Sequence, residues 1–141
     1  MVNFRLFNDE IIFSQVLWIY EFDGNQGKTF LAHYLRILYG FVQLNGTVTT
    51  RDLTGTLPDE IHGVVIDVTR YDIQKFDYSV LEGLKNGYMC SGKYSGSVGI
   101  FKSCPVMVVA NEEPRYSQLS NDRWDVVHLG EYFFYIYHPF I

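Results

Sequence analysis

The stretch EFDGNQGKT, residues 21–29, ends like a phosphate-binding loop. Gly24 and Gly27 would let backbone N–H groups point inward at phosphate oxygens. Lys28 would then reach the β and γ phosphates of a nucleotide, and the hydroxyl of Thr29 would ligate Mg²⁺. The residue types and their spacing therefore predict a site for a nucleoside triphosphate such as ATP, bound with Mg²⁺.

The loop departs from the usual pattern at its start. In the pattern G-x-x-x-x-G-K-[ST] the first glycine falls on Phe22. Asn25 and Gln26 complete the loop between the two glycines that are present. A glycine-rich turn before an ordinary helix is the alternative interpretation. A buried strand predicted before the loop and a helix predicted after it favour the nucleotide site.

Two polar residues follow other predicted strands and would complete such a site. Asp67 lies at the end of the apolar run GVVIDV, residues 63–68, where an acid can support the Mg²⁺ shell and polarise water. Asn111 follows PVMVVA, residues 105–110, where a polar side chain can sense the γ phosphate. The alternatives are an aspartate that caps a turn and an ordinary turn residue.

Hydrophobic periodicity predicts alternating strands and helices. Buried or short strands are predicted over residues 15–20, 41–44, 63–68, 105–110 and 126–129. Helices are predicted over 28–38, with apolar Leu31, Leu35 and Leu38 and Gly40 as C-cap, and over 72–85, with Asp72 as N-cap and Asn86 and Gly87 as the stop. Residues 88–102 alternate and read as a hairpin. This order predicts an α/β sheet with helices on both faces.

Composition indicates one packed domain. The chain has 141 residues, of which 48% are hydrophobic, and its net charge is −5. The negative charge argues against a protein that coats nucleic acid. The longest uncharged runs are about half a membrane span, so no membrane association is expected. Two cysteines without C-x-x-C spacing favour a reduced intracellular compartment.

Five stretches in this order resemble the helicase domain of the replication initiator (Rep) proteins of circular single-stranded DNA viruses, in particular circovirus-like and nanovirus-like ones. They are WIYEFDGNQGKTFLAHYL, VVIDVTR, LEGLKNGYMCSGKYSG, PVMVVANEEP and LSNDRWDVV, between about Val16 and Leu129. These proteins are superfamily-3 helicases of the AAA+ type. The resemblance implies a P-loop NTPase three-layer sandwich with a mostly parallel five-stranded sheet and a DNA-binding hairpin insertion. In this family Gly24 and Asn25 take over the tight turn, and the upstream glycine is dispensable.

The resemblance also implies a role for each candidate residue. Lys28 and Thr29 match the Walker A pair, and Asp67 matches the Walker B aspartate. Asn111 matches the sensor asparagine of motif C. Arg123 resembles the arginine finger that reaches into the site of the next subunit, where a guanidinium suits the charge on the transferring phosphoryl oxygens. An ion pair with a neighbouring aspartate is the alternative for this arginine.

A hairpin between the Walker B strand and motif C grips DNA in this family. Lys93 and Tyr94 lie at the expected tip, where a lysine meets backbone phosphate and an aromatic ring stacks on a base. One lysine per subunit, repeated around a hexameric ring, would give a basic pore in an acidic protein. A solvated hairpin lysine is the alternative.

The sequence also departs from the family. Val68 follows Asp67 where many relatives carry a second acid, and Asp72 or Glu112 are possible substitutes. The four histidines show no paired spacing, so the N-terminal HUH nicking domain is expected to be absent and the chain is not expected to nick DNA. Little of the family's oligomerisation helix pair fits before Val16, so we do not expect this chain alone to form a hexamer.

The chain is accordingly predicted to be a single P-loop ATPase domain over residues 1–141, with a core over about 16–129 and an unassigned tail over 130–141. The resemblance implies an ATP-dependent DNA helicase domain of a rolling-circle replication initiator, acting on single-stranded DNA, in the host nucleus for a eukaryotic virus. The alternatives are an inactive Rep-like relic and a small P-loop kinase or GTPase. No N-K-x-D motif or arginine-rich lid supports the last class.

Overall fold

The computed structural model of the chain describes residues 15–23, 27–53, 57–58, 60–90, 98–100 and 103–128. The strands are β1 (Val16–Tyr20), β2 (Val42–Asn45), β3 (Val64–Asp67), β4 (Tyr88–Cys90), β5 (Val98–Ile100), β6 (Val106–Ala110) and β7 (Trp124–His128). The helices are α1 (Lys28–Tyr39), α2 (Thr50–Leu53) and α3 (Ser79–Asn86), with 3-10 turns at Tyr116–Gln118 and Asn121–Arg123. None of the helices in these ranges has the length and hydrophobicity needed to cross a membrane.

Five strands form one sheet in the order β2-β3-β6-β1-β7, and every neighbouring pair is parallel. The register aligns Tyr20 of β1 with Ala110 of β6 on one side and with His128 of β7 on the other. All five strands therefore end at the same edge of the sheet, which we call the carboxyl edge. The structure confirms the predicted α/β class, and the five-stranded sheet is wholly parallel rather than mostly parallel.

The two faces of this sheet carry separate apolar clusters. Alternate residues of each strand point to opposite faces. Leu17, Ile19 and Val109 pack with α1 on one face. Trp18 and Ile66 pack on the other face, together with buried residues of α2 and α3. Helices on both faces, as predicted, make the central strands apolar on both sides, which is typical of parallel sheets.

Helix α1 has glycines at both ends. Gly27 and Gly40 have φ angles of 82° and 68°, in the left-handed region that glycine adopts without steric cost. The predicted C-cap at Gly40 is thus confirmed. Leu31 and Leu35 are buried as expected, but Leu38 is 60% exposed. The apolar periodicity extends one turn further than the contact with the sheet.

Helix α3 begins at Ser79 rather than at Asp72. Asp72 does not cap a helix; its carboxylate accepts a hydrogen bond of 2.7 Å from the hydroxyl of Thr69, within a series of turns. The first helical residue is Ser79, which follows Tyr78 as N-cap, and the backbone N–H of Ser79 donates a hydrogen bond of 3.1 Å to the carboxylate of Asp77. The stop at Gly87 is confirmed by its φ of 77°.

The remaining differences concern short elements. β7 begins at Trp124, two residues before the predicted strand, and neither α2 nor the 3-10 turns were expected. The arms of the predicted hairpin are confirmed, since β4 and β5 pair antiparallel. Its expected tip, with Lys93 and Tyr94, lies outside the described residues.

One lysine of α3 is buried where the chain enters β6. The Nζ of Lys85 donates a hydrogen bond of 3.2 Å to the backbone carbonyl of Cys104. Burial lowers the pKa of Lys85 from 10.5 to about 8. It also raises the pKa of the Cys104 thiol from 9.0 to about 11. Folding therefore changes the proton affinity of both groups, in opposite directions.

Lys85→Met should alter how stability depends on pH. Between pH 8 and 10.5 the unfolded lysine keeps a proton that the folded one has lost, so this group raises the free energy of unfolding as pH rises. The slope is at most about 1.4 kcal/mol per pH unit. Urea unfolding at pH 7.5, 8.0, 8.5 and 9.0 should show the wild type gaining about 1 kcal/mol relative to Lys85→Met.

Lys75→Met, at an exposed lysine, is the matched control and should run parallel to the wild type. The range below pH 9 is chosen because the Cys104 thiol acts in the opposite direction above it. Parallel curves for wild type and Lys85→Met would contradict a depressed pKa at this lysine.

Candidate functional site

Lys28 is the first residue of α1 and its side chain lies in a buried ion pair. Its Nζ is 2.5 Å from Oε1 of Glu21, the residue that directly follows β1. Lys28 is 9% exposed and Glu21 is 1% exposed. The left-handed Gly27 precedes the lysine and turns the chain into the helix. The ammonium is thus fixed at the carboxyl edge, beside the end of the central strand β1.

Thr29 and Asp67 meet at the same edge. The hydroxyl of Thr29 donates a hydrogen bond of 3.1 Å to Oδ2 of Asp67. Asp67 is the last residue of β3, and β6 lies between β3 and β1. Neighbouring strands are spaced by about 4.8 Å, so the chain after β1 crosses about 10 Å to bring these two side chains together. Both residues were predicted from the sequence as Mg²⁺ ligands.

Asn111 follows β6 and is half-buried. Because β6 separates β1 from β3, this asparagine lies at the carboxyl edge between the strand that precedes Lys28 and the strand that ends in Asp67. Among the described residues, its side-chain amide has no hydrogen-bond partner.

The start of the loop is held by contacts that the sequence did not predict. The second carboxylate oxygen of Glu21 accepts the backbone N–H of Asp23 at 2.9 Å. The guanidinium of Arg70 donates a hydrogen bond of 2.8 Å to the carbonyl oxygen of Phe22. An acidic residue directly after a fully buried strand was the available signal for Glu21. Nothing local marked Arg70, because its partner is 48 residues away.

Aromatic rings lie on the β7 side of the loop. The rings of Tyr20 and His128 are stacked with centroids 4.8 Å apart, and Phe22 contacts both rings edge-on at 5.4 and 5.7 Å. The Tyr20 hydroxyl donates a hydrogen bond of 3.0 Å to Glu113 Oε1. The ring of Phe22 is 56% exposed. These contacts fix the end of β1 from the side opposite to Asp67.

Arg123 lies away from this group. It ends the 3-10 turn just before β7, and β7 runs five residues, about 17 Å, to the carboxyl edge. Its guanidinium donates a hydrogen bond of 3.3 Å to the side chain of Asn86, at the end of α3. The structure therefore does not bring Arg123 together with Lys28 or Asp67 of the same chain.

Other predicted residues lie outside the described part or have other contacts. Gly24, Asn25 and Gln26 of the loop are outside the described residues. Of the possible second acids, Asp72 is held by the Thr69 hydroxyl, as described for α3, and the side chain of Glu112 is exposed.

The chemistry of Thr29 and Asp67 suits a magnesium ion. A hydroxyl and a carboxylate are hard oxygen donors, and Mg²⁺ is usually held by one or two carboxylates together with substrate phosphates and water. No group of three or more His, Cys, Asp or Glu side chains in the described ranges is arranged to hold a metal ion. The Thr29 hydroxyl and the Asp67 carboxylate therefore suit a cation whose remaining ligands include phosphate oxygens of a bound molecule.

The sequence of the chain is similar to those of several viral replication proteins. The chain is 31% identical over 118 residues to "Para-Rep C3" of Milk vetch dwarf C3 alphasatellite, which is 82% of this chain and 42% of that relative. It is 32% identical over 124 residues to "Para-Rep C9" of Faba bean necrotic yellows C9 alphasatellite, covering 86% and 42%. It is 33% identical over 115 residues to the "Master replication protein" of Subterranean clover stunt virus (strain F), covering 81% and 39%.

No protein-family model matches the chain. The chain spans about two fifths of the length of these curated relatives. Over most of its own length, the chain is similar to the Rep proteins of nanoviruses and alphasatellites.

Proposed function

We propose that this chain is the ATP-hydrolysing motor domain of a rolling-circle replication initiator, a superfamily-3 helicase domain that moves along single-stranded DNA. The observation that carries the proposal is the hydrogen bond between Thr29 and Asp67. These residues are 38 positions apart, yet they are the two that a magnesium-nucleotide site requires side by side.

Lys28 and the start of α1 would bind the phosphates. The first N–H groups of a helix have no partner within the helix, and the helix dipole favours an anion there. The ammonium of Lys28 adds a full charge at the same point. Thr29 and Asp67 would hold Mg²⁺, which neutralises charge on the β and γ phosphates when it is bound.

Asp67 and Asn111 would act at the γ phosphate. The carboxylate of Asp67 accepts a hydrogen bond from Thr29, so its free lone pairs can orient water at this edge. The amide of Asn111 lies between the lysine and the aspartate in strand order and can donate to a phosphate oxygen or to the attacking water. Both roles depend on the common carboxyl edge of parallel strands, where α/β proteins bind ligands.

Arg123 would act on a neighbouring subunit. At the amino end of β7, Arg123 is remote from the nucleotide site of its own chain. This position suits a cation that completes the site of the neighbouring subunit in a ring. We propose a homo-oligomer in which neighbouring subunits share a site; the hexamer is the assembly that the family resemblance implies, and this chain alone is not expected to form it. Lys93 and Tyr94 of the hairpin would contact single-stranded DNA in that ring, in the host nucleus for a eukaryotic virus.

Similarity to the "Master replication protein" and "Para-Rep" relatives supports the replication part of the proposal. It favours a motor domain over a small P-loop kinase or GTPase. Nicking and joining of DNA are not proposed for these residues.

A second candidate is a Rep-like protein that binds nucleotide and hydrolyses it slowly or not at all. The observation that favours it is Val68, which directly follows Asp67 and is 1% exposed. A buried valine cannot act as a base at the position where many superfamily-3 enzymes carry a second acid. The side chain of Glu112 is exposed at the same edge and would have to serve instead.

Lys28→Ala should weaken ATP binding by roughly 100-fold or more, because a charge-assisted contact to the phosphates is lost. Isothermal titration calorimetry with Mg²⁺ present is the measurement. Lys75→Ala, at an exposed lysine, is the control and should bind like the wild type. Circular dichroism should accompany the titration, since Lys28→Ala leaves Glu21 without its ion pair. Unchanged affinity in a folded Lys28→Ala would refute the site.

Arg123→Ala should leave ATP affinity unchanged and lower the turnover number by about 10³-fold. Arg51→Ala, at an exposed arginine of α2, should hydrolyse ATP normally. Turnover by the wild type should rise with protein concentration as subunits assemble. Mixing Arg123→Ala with Lys28→Ala should restore part of the turnover, because mixed pairs contain one complete site. No recovery on mixing would show that the arginine does not act between subunits.

A further inference from the structure

Glu21 brings a negative charge to the buried end of β1, beside the loop that is proposed to bind phosphate. It is 1% exposed, and its partner Lys28 is 9% exposed. Removing two charges from water costs about as much free energy as their attraction returns, so a buried ion pair is a weak source of stability. The position of this pair, at the phosphate-binding lysine, suggests a functional reason for it.

The contacts of the Glu21 carboxylate are those that a P-loop offers to a phosphate group. One oxygen accepts from the ammonium of Lys28 at 2.5 Å. The other accepts from the backbone N–H of Asp23, in the loop, at 2.9 Å. An ammonium and a loop N–H are the two kinds of donor that such loops direct at phosphate oxygens. The carboxylate therefore takes the position on the ammonium of Lys28 that a phosphate oxygen would take.

We propose that Glu21 is an internal competitor of the nucleotide phosphates for Lys28. The inference rests on the proposed function, since it requires that the loop bind phosphate. In the free protein the carboxylate neutralises the buried ammonium and holds the lysine at the carboxyl edge. When the phosphates bind, the ammonium turns to them and the carboxylate is left with the loop N–H.

Charge explains why the two anions compete. An ammonium has three N–H donors and can touch a carboxylate and a phosphate at once. However, both anions would then lie roughly 5 Å apart in a partly buried site, where like charges repel strongly. Glu21 thus lowers the affinity of the loop for every phosphate ligand.

Glu21→Gln separates this role from a purely structural one. The amide has the size of the carboxylate and lacks its charge, so Lys28 loses its counter-ion and the free protein should unfold at a lower temperature. Removing the competing charge should at the same time strengthen phosphate binding. A residue that only supported the fold would lower both stability and affinity when it is changed.

The experiment measures binding of inorganic tripolyphosphate and of ATP, each with Mg²⁺ and at fixed ionic strength, by isothermal titration calorimetry. Glu21→Gln should bind both ligands roughly 10-fold more tightly than the wild type. Tripolyphosphate carries no base, so an equal gain for both ligands assigns the effect to the phosphates. Glu60→Gln, at an exposed glutamate, is the matched control and should bind like the wild type.

Glu21→Asp provides a second variant if Glu21→Gln does not fold. This variant keeps the negative charge but moves it away from Lys28 by one methylene. Its affinity for both ligands should therefore exceed that of the wild type, by less than the gain expected for Glu21→Gln. If a folded variant binds both ligands no more tightly than the wild type, the proposed role of Glu21 is overturned. In that case the proposed nucleotide site still stands, provided that the wild type binds the ligands. If neither the folded wild type nor folded Glu21→Gln binds tripolyphosphate or ATP, both the nucleotide site and the role of Glu21 are overturned.

Discussion

The contact between Thr29 and Asp67 depends on the whole parallel sheet. The two residues belong to chain segments separated by β6, and the strand order β2-β3-β6-β1-β7 with its common carboxyl edge brings them within 3.1 Å. The register that aligns the ends of β1, β6 and β7 requires central strands that are apolar on both sides. Helices α1 and α3 cover those two faces. The site is therefore a consequence of packing, and disturbing either face would separate its halves.

The charged residues divide between the two edges of the sheet. At the carboxyl edge Lys28 is neutralised by Glu21, and Arg70 fixes the loop through the carbonyl of Phe22. At the opposite edge lie Arg123 and the buried Lys85 of α3. Arg123 is the residue proposed above to reach a neighbouring subunit, whereas Lys85 is buried and bonded within its own chain. The net charge of −5 does not oppose this arrangement, because the relevant charges are local.

Local patterns predicted the parts of the fold that are decided locally. Alternation between apolar runs and helical periodicity located β1, α1 and β6, and Gly40 and Gly87 marked two helix ends because they adopt positive φ. The start of α3 was misplaced because Phe76 repeats at helical spacing but is buried from a non-helical segment before the helix. Periodicity reports which residues are buried, not which hydrogen bonds hold the backbone.

The candidate site was predicted in the same partial way. Lys28 and Thr29 were predicted from the G-K-T motif, and Asp67 and Asn111 were predicted because they lie at the ends of apolar runs. Glu21 and Arg70 were missed, because their contacts exist only after the chain has folded around β1. Arg123 could be given a role by resemblance, but its distance from the site became visible only with the strand order.

The most direct test of the central claim is a crystal structure of the chain with a non-hydrolysable ATP analogue and Mn²⁺ in place of Mg²⁺. The account predicts an anomalous-difference peak about 2 Å from the hydroxyl oxygen of Thr29, on the side of Asp67, with the phosphates on Lys28. A nucleotide bound elsewhere, or a manganese peak away from Thr29 and Asp67, would contradict it.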